Sequence, residues 1–397
     1  MKRFEELDSL RGLAAMSVLI GHCLIMLPYL TSKQYTTEMW VWNIIKFTPI
    51  SAIWAGHEAV ILFFILSGFV LSIPYNNGKE LPYPTYLVRR ICRIYIPYLF
   101  VIFLAILSRT YISSSQISIF SDWYNSLWRS DITIQTIIDH IIFLGKYDTN
   151  ALNTVIWSLV EELRISIIFP FIMLLVIRFN WKINIGIGLT SSLISYAAYY
   201  IKWHSSNTAL IKAVGYASTL EWLPMFIIGA VLAKNSNSIC MLYKRLSRST
   251  RIVMLLCGLM LYTYSHWMPF GGKLLHITIV EDWIILAGAS IFIIFALFSG
   301  SVSRFLMFKP IHFIGKISYS IYLSHMIILL VMVNLLYGLI PLALIWLLTI
   351  ILTIVISALM YFYIELPSIK LGRFLTKGIT RRENSVVTKE SNKAAST

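Results

Sequence analysis

The sequence predicts an all-α integral membrane protein, a bundle of about ten transmembrane helices with both termini in the cytoplasm. Of its 397 residues, 58% are hydrophobic and only 13% are charged, whereas soluble domains carry about 25% charged residues. Apolar stretches of roughly 20 residues, the length that crosses ~30 Å of hydrocarbon, recur along the whole chain. The third observation is the placement of the basic residues, which sets the orientation.

Hydropathy predicts the ten helices in order. They are expected at residues 10–30, 54–74, 94–112, 156–177, 183–201, 217–233, 252–266, 282–299, 318–338 and 341–363. The first apolar stretch is too long for a signal peptide and lacks a small-residue cleavage pattern, so we expect it to be retained as the first helix. Residues 1–372 therefore form one membrane domain. Residues 373–397 are polar and basic, and they are expected to form a disordered cytoplasmic tail.

Most of the 33 lysine and arginine residues fall in segments on the same side as the N-terminus. Cytoplasmic loops carry such an excess, so the termini are predicted to be cytoplasmic and the protein to be a multi-pass protein of the bacterial plasma (inner) membrane. The net charge of +15 therefore reflects topology, and nucleic acid is excluded as a partner. The four cysteines show no paired spacing that would predict a zinc site, and no metal is expected.

The tryptophans are placed asymmetrically, because most of the 12 fall in predicted outer loops or at outer helix ends. Trp157, at the start of the fourth helix, is one of them. Two readings stay open: an interfacial aromatic belt, which should decorate both faces of the membrane, or an outer surface on which sugar rings stack.

The first helix, in LDSLRGLAAMSVLIGH, carries the most informative pair of side chains. Arg11 and His22 are separated by eleven residues, which leaves them about 20° apart around the helix and roughly 16 Å apart along it. Arginine suits phosphates, and histidine is the usual general base. The pair fits a long donor with phosphates at one end and a reactive group at the other, such as acyl coenzyme A. The alternative is that Arg11 is an ordinary positive charge at the cytoplasmic membrane boundary and that His22 is a packed, hydrogen-bonded histidine.

Further basic residues stand on the same side, in the segment YLVRRICRIYIPY. Arg90 and Arg93 fall on one helical face and form a candidate second clamp for the donor phosphates. The alternatives are ordinary cytoplasmic charge or binding of anionic lipid headgroups.

The fourth helix, in WSLVEELRISIIFP, brings two carboxylates and an arginine into the membrane. Glu161 and Arg164 are spaced as an ion pair on one face, which would lower the cost of their burial. Glu162 aligns with Ser158 and is the better candidate to orient a histidine or an acceptor hydroxyl. The alternative is that both carboxylates are paired with neighbouring groups and have a purely structural role.

Other polar residues in apolar segments are weaker candidates. His57 lies at the outer entrance of the second helix, and Ser67, deeper in that helix, is expected to serve packing rather than nucleophilic attack. His325 is expected to be a hydrogen-bonded packing residue of the ninth helix. Glu365 is expected to have a capping or lid role at the end of the tenth helix rather than a catalytic one.

These segments together resemble the acyltransferase 3 family of integral membrane acyltransferases, of the type that O-acetylates cell-envelope glycans. The resemblance is carried in order by LDSLRGLAAMSVLIGH, FFILSGFVLS, RRICRIYIPY, WSLVEELRISIIFP, FIIGAVLA, IGKISYSIYLSH and YIELPSIKLGR, over residues 7–373. It implies a ten-helix enzyme that moves an acyl group, commonly acetyl, from cytoplasmic acyl coenzyme A to an acceptor on the outer side. Acceptors of this type are surface polysaccharides or lipid-linked glycans.

The resemblance also implies roles for individual residues. Catalysis would fall to His22 and Glu162, and donor binding to Arg11, Arg90 and Arg93. Apart from the resemblance, the sequence offers candidate supporting or acceptor-binding residues at His57, Ser67, Trp157, Ser158 and Arg164.

Some questions stay open after the resemblance. Glu161 stands where related proteins often have a histidine, so its role is undecided, and direct transfer is not separated from an acyl-histidine relay. Without the soluble esterase-like domain of some relatives, the chain is expected to complete transfer alone or with a separate protein. A transporter or flippase of a lipid-linked sugar is the alternative function, although repeated halves and broken helices are not evident.

Overall fold

The computed structural model describes residues 4–31, 39–112, 116–145, 147–207, 214–266 and 277–377, and most of these residues lie in helices, with no β-strand among them. A helix lies at each of the ten predicted positions. In chain order they are α1 (Glu5–Ile25), α2 (Gly56–Asn76), α3 (Tyr83–Tyr111), α4 (Ile156–Arg178), α5 (Trp181–His204), α6 (Ser218–Lys234), α7 (Arg248–Tyr262), α8 (Thr278–Phe298), α9 (Ser318–Leu336) and α10 (Leu342–Met360). Short helices lie in the connections, among them Trp40–Phe47 and Ile134–Ile142.

Six helices in the described part of the chain are long and apolar enough to cross a membrane: α1, α2, α3, α8, α9 and α10 with its extension to Leu375. A seventh span results if α6 is counted together with Ser236–Arg245, which is bent from it by 70°. The protein is thus a multi-pass membrane protein, but with six or seven candidate spans where hydropathy alone predicts ten.

The three remaining helices differ from the six for identifiable reasons. The α4 helix carries Glu161, Glu162 and Arg164 in its apolar sequence, and α5 is diluted by serines and tyrosines. The α7 helix has only 15 residues, fewer than the roughly 20 that a perpendicular span needs.

Two helices begin earlier than hydropathy predicts. The α1 helix starts at Glu5 rather than at residue 10, and its first turn carries three acidic residues, which favour a helix N-terminus. The α3 helix starts at Tyr83 rather than at residue 94, because hydropathy detects only the apolar part of a helix. Arg90 and Arg93 consequently lie within α3 rather than before it.

The α10 helix continues through a π-helical turn, Tyr361–Glu365, into a further helix, Leu366–Leu375. Glu365 is buried in this turn and accepts a hydrogen bond from Ser320 of α9 at 2.9 Å. It therefore connects two helices instead of capping one by its side chain. The helix extends past Arg373, where the tail was predicted to begin, and residues 378–397 of that tail lie outside the described residues.

Close helix packing fixes the walls of the interior. Gly68 of α2 and Gly229 of α6 face each other's backbones, and a methyl group at either position would overlap the backbone of the other helix. Small residues permit such close approach within membranes. Helix α1 packs on α2 and α9, so the helices that carry the predicted site residues surround one interior region.

The predicted pair of Glu161 and Arg164 is present in α4, with 3.2 Å between Oε1 and Nη1. The carboxylate also accepts hydrogen bonds from Ser218 and Thr219 at the start of α6. The guanidinium donates to the carbonyl oxygen of Gly145. Both buried charges are therefore satisfied, and the pair holds α4 to α6 and to the preceding loop.

Candidate active site

Two cavities lie inside the helix bundle, and α1 contributes to both. The first, the arginine cavity, has a volume of about 70 Å³ and is lined by charged side chains that include Arg11, Arg90, Arg93 and Glu162. The second, the histidine cavity, has a volume of about 520 Å³ and is lined by His22, His57 and His266. The predicted separation of Arg11 from His22 along α1 therefore places them in different cavities.

In the arginine cavity, Arg90 is held by α4. Its Nη2 donates to Glu162 Oε1 at 2.6 Å, and its Nε donates to Ser166 Oγ at 3.1 Å. Ser67 Oγ of α2 donates to the same carboxylate oxygen at 3.1 Å. Glu162 is thus fixed between an arginine and a serine, and Ser67 acts as a hydrogen-bond donor that joins α2 to α4.

The predicted association of Glu162 with Ser158 is not what the structure shows. Ser158 Oγ lies 2.6 Å from the hydroxyl of Tyr322 on α9 and shares a hydrogen bond with it, while Glu162 accepts hydrogen bonds from Arg90 and Ser67. Helical spacing places Ser158 and Glu162 on one face, but the neighbouring helices decide the partner of each. Glu162 therefore lines the arginine cavity rather than orienting His22.

The positive charges of Arg11 and Arg93 are less fully neutralised by neighbouring groups than the charge of Arg90. Arg11 approaches Asp8 only at 3.8 Å, and Arg93, which is exposed, has no hydrogen bond or ion pair within the described residues. The two guanidinium groups are close enough to repel each other. Two adjacent cations without full neutralisation favour binding of an anion with several oxygen atoms, such as a phosphate.

In the histidine cavity, His22 is placed by contacts on two sides. Its ring stacks on Trp123 with the planes 7° apart, and its Nδ1 lies 2.9 Å from Nε2 of His325 on α9. His325 Nδ1 in turn lies 3.0 Å from the carbonyl oxygen of Ile321.

This chain of hydrogen bonds selects the tautomer of His22. A carbonyl oxygen can only accept, so His325 donates from Nδ1 and, in its neutral form, accepts at Nε2. His22 must then donate from Nδ1, which leaves the lone pair of its Nε2 unoccupied. A histidine with an available nitrogen lone pair facing a cavity can act as a general base or as a nucleophile.

His325 was predicted to be a hydrogen-bonded packing residue, and its contact with His22 was not predicted from the sequence. The residue is buried, as expected of packing, but its Nε2 contacts His22, which lies 303 positions away in sequence. The signal within the sequence was the histidine of SYSIYLSH in an apolar helix, since such residues are rare in membranes without a function. Only the packing of α9 against α1 identifies its partner.

The other histidines of this cavity are paired with carboxylates. His57 Nε2 lies 2.7 Å from Asp282 Oδ1 of α8, and His266 Nε2 lies 3.4 Å from Glu58 Oε1. Asp282 was not singled out from the sequence. A carboxylate stabilises the protonated imidazole beside it, so His57 is better placed to hold a proton than His22, whose ring contacts only a neutral histidine and tryptophan.

Aromatic rings and polar side chains share the wall of the histidine cavity. Trp54, Trp123 and Trp157 line it, and the ring of Trp157 lies 5.3 Å from that of Trp222. Among the described lining residues there is no lysine or arginine. The two cavities therefore differ in charge: one offers cations, and the other offers aromatic faces, histidines and carboxylates.

The sequence-predicted residues thus divide between the two cavities. Arg11, Arg90, Arg93, Glu162, Ser67 and Ser158 line the arginine cavity, whereas His22, His57 and Trp157 line the histidine cavity. Arg164 lines neither and holds the scaffold. In the part of the chain that the structure describes, no group of three or more His, Cys, Asp and Glu side chains is arranged to hold a metal ion.

Comparison with known proteins gives one family match. The family model described as an acyltransferase domain, of the acyltransferase 3 type, matches residues 4–362, nearly the whole chain. No curated protein matches the sequence, and no solved structure matches it.

Proposed function

The chain belongs to the acyltransferase 3 family, and from that premise we propose that it transfers an acyl group, most simply acetyl, from acyl coenzyme A to a glycan hydroxyl. The acceptor is a cell-surface polysaccharide or a lipid-linked glycan, and the enzyme is a multi-pass protein of the bacterial plasma membrane. The observation that carries the proposal is the arrangement of α1, which presents Arg11 to one cavity and His22 to the other.

The phosphates of the donor lie in the arginine cavity. Arg11 and Arg93 bind the phosphate oxygens, because their charges are incompletely neutralised by the protein. Arg90 contributes by holding Glu162, which keeps that carboxylate from competing for the other two cations. The acyl-bearing arm extends along α1 toward His22, a rise of roughly 16 Å.

The orientation of the enzyme follows from its substrates and charges. We propose that all ten helices enter the membrane, that both termini are cytoplasmic, and that the arginine cavity opens toward the cytoplasm, where the donor is available. This agrees with the positive-inside distribution of lysine and arginine in the sequence. The histidine cavity then receives the acceptor from the outer side.

Transfer begins with the lone pair of His22 Nε2. In direct transfer, Nε2 takes the proton of the acceptor hydroxyl, the oxygen attacks the thioester carbonyl, and the carbon–sulfur bond breaks. The departing thiolate then takes the proton from the imidazolium, giving coenzyme A. A general base positioned in this way contributes roughly 10²- to 10⁴-fold to the rate.

A relay through His22 uses the same geometry. In that case Nε2 attacks the thioester carbonyl and the carbon–sulfur bond breaks, which leaves a cationic acyl-imidazolium, while the departing thiolate takes the proton of the His57 imidazolium that Asp282 stabilises. The acceptor hydroxyl then attacks the acyl carbon and gives its proton to the now neutral His57. The bond between the acyl carbon and Nε2 breaks, and both histidines return to their starting states. Both routes require the tautomer that His325 selects.

The acceptor is supported by the lining of the histidine cavity. The apolar faces of sugar rings stack on aromatic side chains, and hydroxyl groups bond to histidines and carboxylates. Trp123 and Trp157 supply the aromatic faces, and His57 and Glu58 supply the hydrogen-bonding groups. These side chains support a hydroxyl-rich acceptor without identifying it.

The decisive experiment measures coenzyme A release from acetyl coenzyme A by the full-length protein, purified in detergent and supplied with an extract of envelope glycans as the acceptor, with His22→Gln beside the parent. The variant should lose at least about 10²-fold in turnover while keeping its thermal stability and its coenzyme A binding. His204→Gln is the matched control, since this exposed histidine ends α5 and lines neither cavity; its activity should equal that of the parent.

Retention of more than about a tenth of the parental turnover by His22→Gln would make His22 structural. If the parent itself releases no coenzyme A, acyl transfer fails, and transport of lipid-linked sugar in reconstituted vesicles becomes the measurement. Mass spectrometry of envelope glycans from cells with and without the gene then identifies the acceptor by its added acyl mass.

A further inference from the structure

Two residues line both cavities and separate them: Val60 of α2 and Tyr322 of α9. Both side chains are nearly buried, with 5% and 6% of their surfaces exposed. No other described residue lines both cavities. The two cavities therefore adjoin at these side chains, and we call this point the constriction: a molecule that occupied both cavities here would pass between Val60 and Tyr322.

The constriction is held in place by packing and by a hydrogen bond. The hydroxyl of Tyr322 shares a 2.6 Å hydrogen bond with Ser158 of α4, and its ring meets that of Phe63 edge to face at 5.4 Å. Val60 is β-branched and lies on a helix, where its side chain is largely confined to one rotamer. Neither side chain can move aside without breaking contacts with a neighbouring helix.

The space beyond the constriction is the larger of the two. The histidine cavity has about 520 Å³ and the arginine cavity about 70 Å³, so an acyl group has more room around His22 than on the side of the arginines. A donor whose phosphates are bound by Arg11 and Arg93 must bring its acyl end past Val60 and Tyr322 to reach His22. The acyl group therefore meets the constriction before it reaches the histidine cavity.

We infer that Val60 and Tyr322 determine which acyl coenzyme A the enzyme uses, admitting a short acyl group such as acetyl and hindering longer chains. This inference rests on the proposed function. It assigns specificity to two residues other than the arginines proposed to bind the phosphates and the histidine proposed as the base. One methylene in a well-packed site changes selectivity by roughly 10-fold or more, so a constriction of two fixed side chains is sufficient for discrimination between acetyl and butyryl.

The chain offers matched controls for this inference. Val60 lines both cavities, whereas Val18 of α1 lines only the histidine cavity and Val70 of α2 lines only the arginine cavity. A Val→Ala substitution removes the same two methyl groups at each position. Only Val60→Ala widens the passage; the other two enlarge one cavity.

The experiment compares kcat/KM for butyryl and acetyl coenzyme A, read as coenzyme A release by the full-length protein. Val60→Ala should raise the butyryl-to-acetyl ratio at least about 10-fold, and Val18→Ala and Val70→Ala should leave it within about twofold. Val60→Ile, which narrows the passage, should lower kcat/KM even for acetyl coenzyme A. Binding of coenzyme A itself, measured by calorimetry, should be unchanged in all four variants.

An unchanged ratio in Val60→Ala, or an equal rise in Val18→Ala or Val70→Ala, overturns the constriction while leaving the proposed function intact. Failure of the parent to release coenzyme A from either donor overturns the proposed function itself, and the inference falls with it. The two failures are therefore distinguished by the parent protein in the same assay.

Discussion

The contact between His22 and His325 gives the sharpest prediction about the reaction. His325 accepts the Nδ1 proton of His22 with its own Nε2, so a substitution that removes only this acceptor should disturb the tautomer and orientation of His22. His325→Asn does this, because its amide can occupy the place of Nδ1 near the Ile321 carbonyl but is too short to reach His22. His325→Gln places its amide oxygen near the position of Nε2, where it can still accept.

The expected magnitude follows from that one hydrogen bond. A donor left without its partner in a largely dehydrated site costs about 1–3 kcal/mol, which corresponds to roughly 5- to 150-fold in rate if the productive orientation is lost by that amount. We expect His325→Asn to lower kcat by this factor with little change in donor KM. His325→Gln should retain most of the parental kcat.

The assay is coenzyme A release at saturating donor, with thermal unfolding measured in parallel. His140 provides the control, since it is also buried, and its Nδ1 lies 2.7 Å from the carbonyl of Thr136, four residues earlier, as His325 does with Ile321. His140→Asn should affect stability without a specific loss of turnover. Equal losses for His325→Asn and His325→Gln, or an unaffected His325→Asn, would refute the role of His325 in positioning His22.

Three further predictions concern the arginine cavity and the orientation. Arg93→Gln should raise the donor KM with little change in kcat, because phosphate contacts exist in both ground and transition states, whereas Arg90→Gln should lower the melting temperature by leaving Glu162 without its cation. An unchanged donor KM in Arg93→Gln would assign that arginine to lipid contact or folding. Asp131→Cys, at an exposed loop position in a background free of native cysteines, should react with an impermeant thiol reagent added to intact cells. Reaction only after lysis would show that the predicted orientation is inverted.

Sequence was sufficient for the features that depend on local composition. Recurrent apolar stretches indicated helices at all ten positions, because hydropathy is a property of each segment by itself. The spacing of Arg11 and His22 along one helix was equally predictable, since the rise of an α-helix is constant. The pairing of Glu161 with Arg164 followed from the same regularity. The family resemblance, built from several motifs in order, agreed with the match over residues 4–362.

Helix ends and the number of spans were less predictable. Hydropathy averages the apolar part of a helix and omits polar turns that continue it, so it missed the start of α3 and placed Arg90 and Arg93 outside the helix. Charges within α4, polar side chains in α5 and the shortness of α7 leave six or seven candidate spans by length and hydropathy. Those helices depend on their neighbours to cover polar groups, which a single segment cannot reveal.

Partners across the bundle were decided only by the tertiary structure. Helical periodicity put Ser158 and Glu162 on one face, yet Ser158 bonds to Tyr322 of α9 and Glu162 to Arg90 of α3. His325 became a partner of His22 through the packing of α9 on α1. The sequence specifies which side chains each helix carries and on which face, because that geometry is local. Which faces meet depends on close packing among all the helices, and that packing alone placed the arginines in one cavity, the histidines in another, and the Val60–Tyr322 constriction between them.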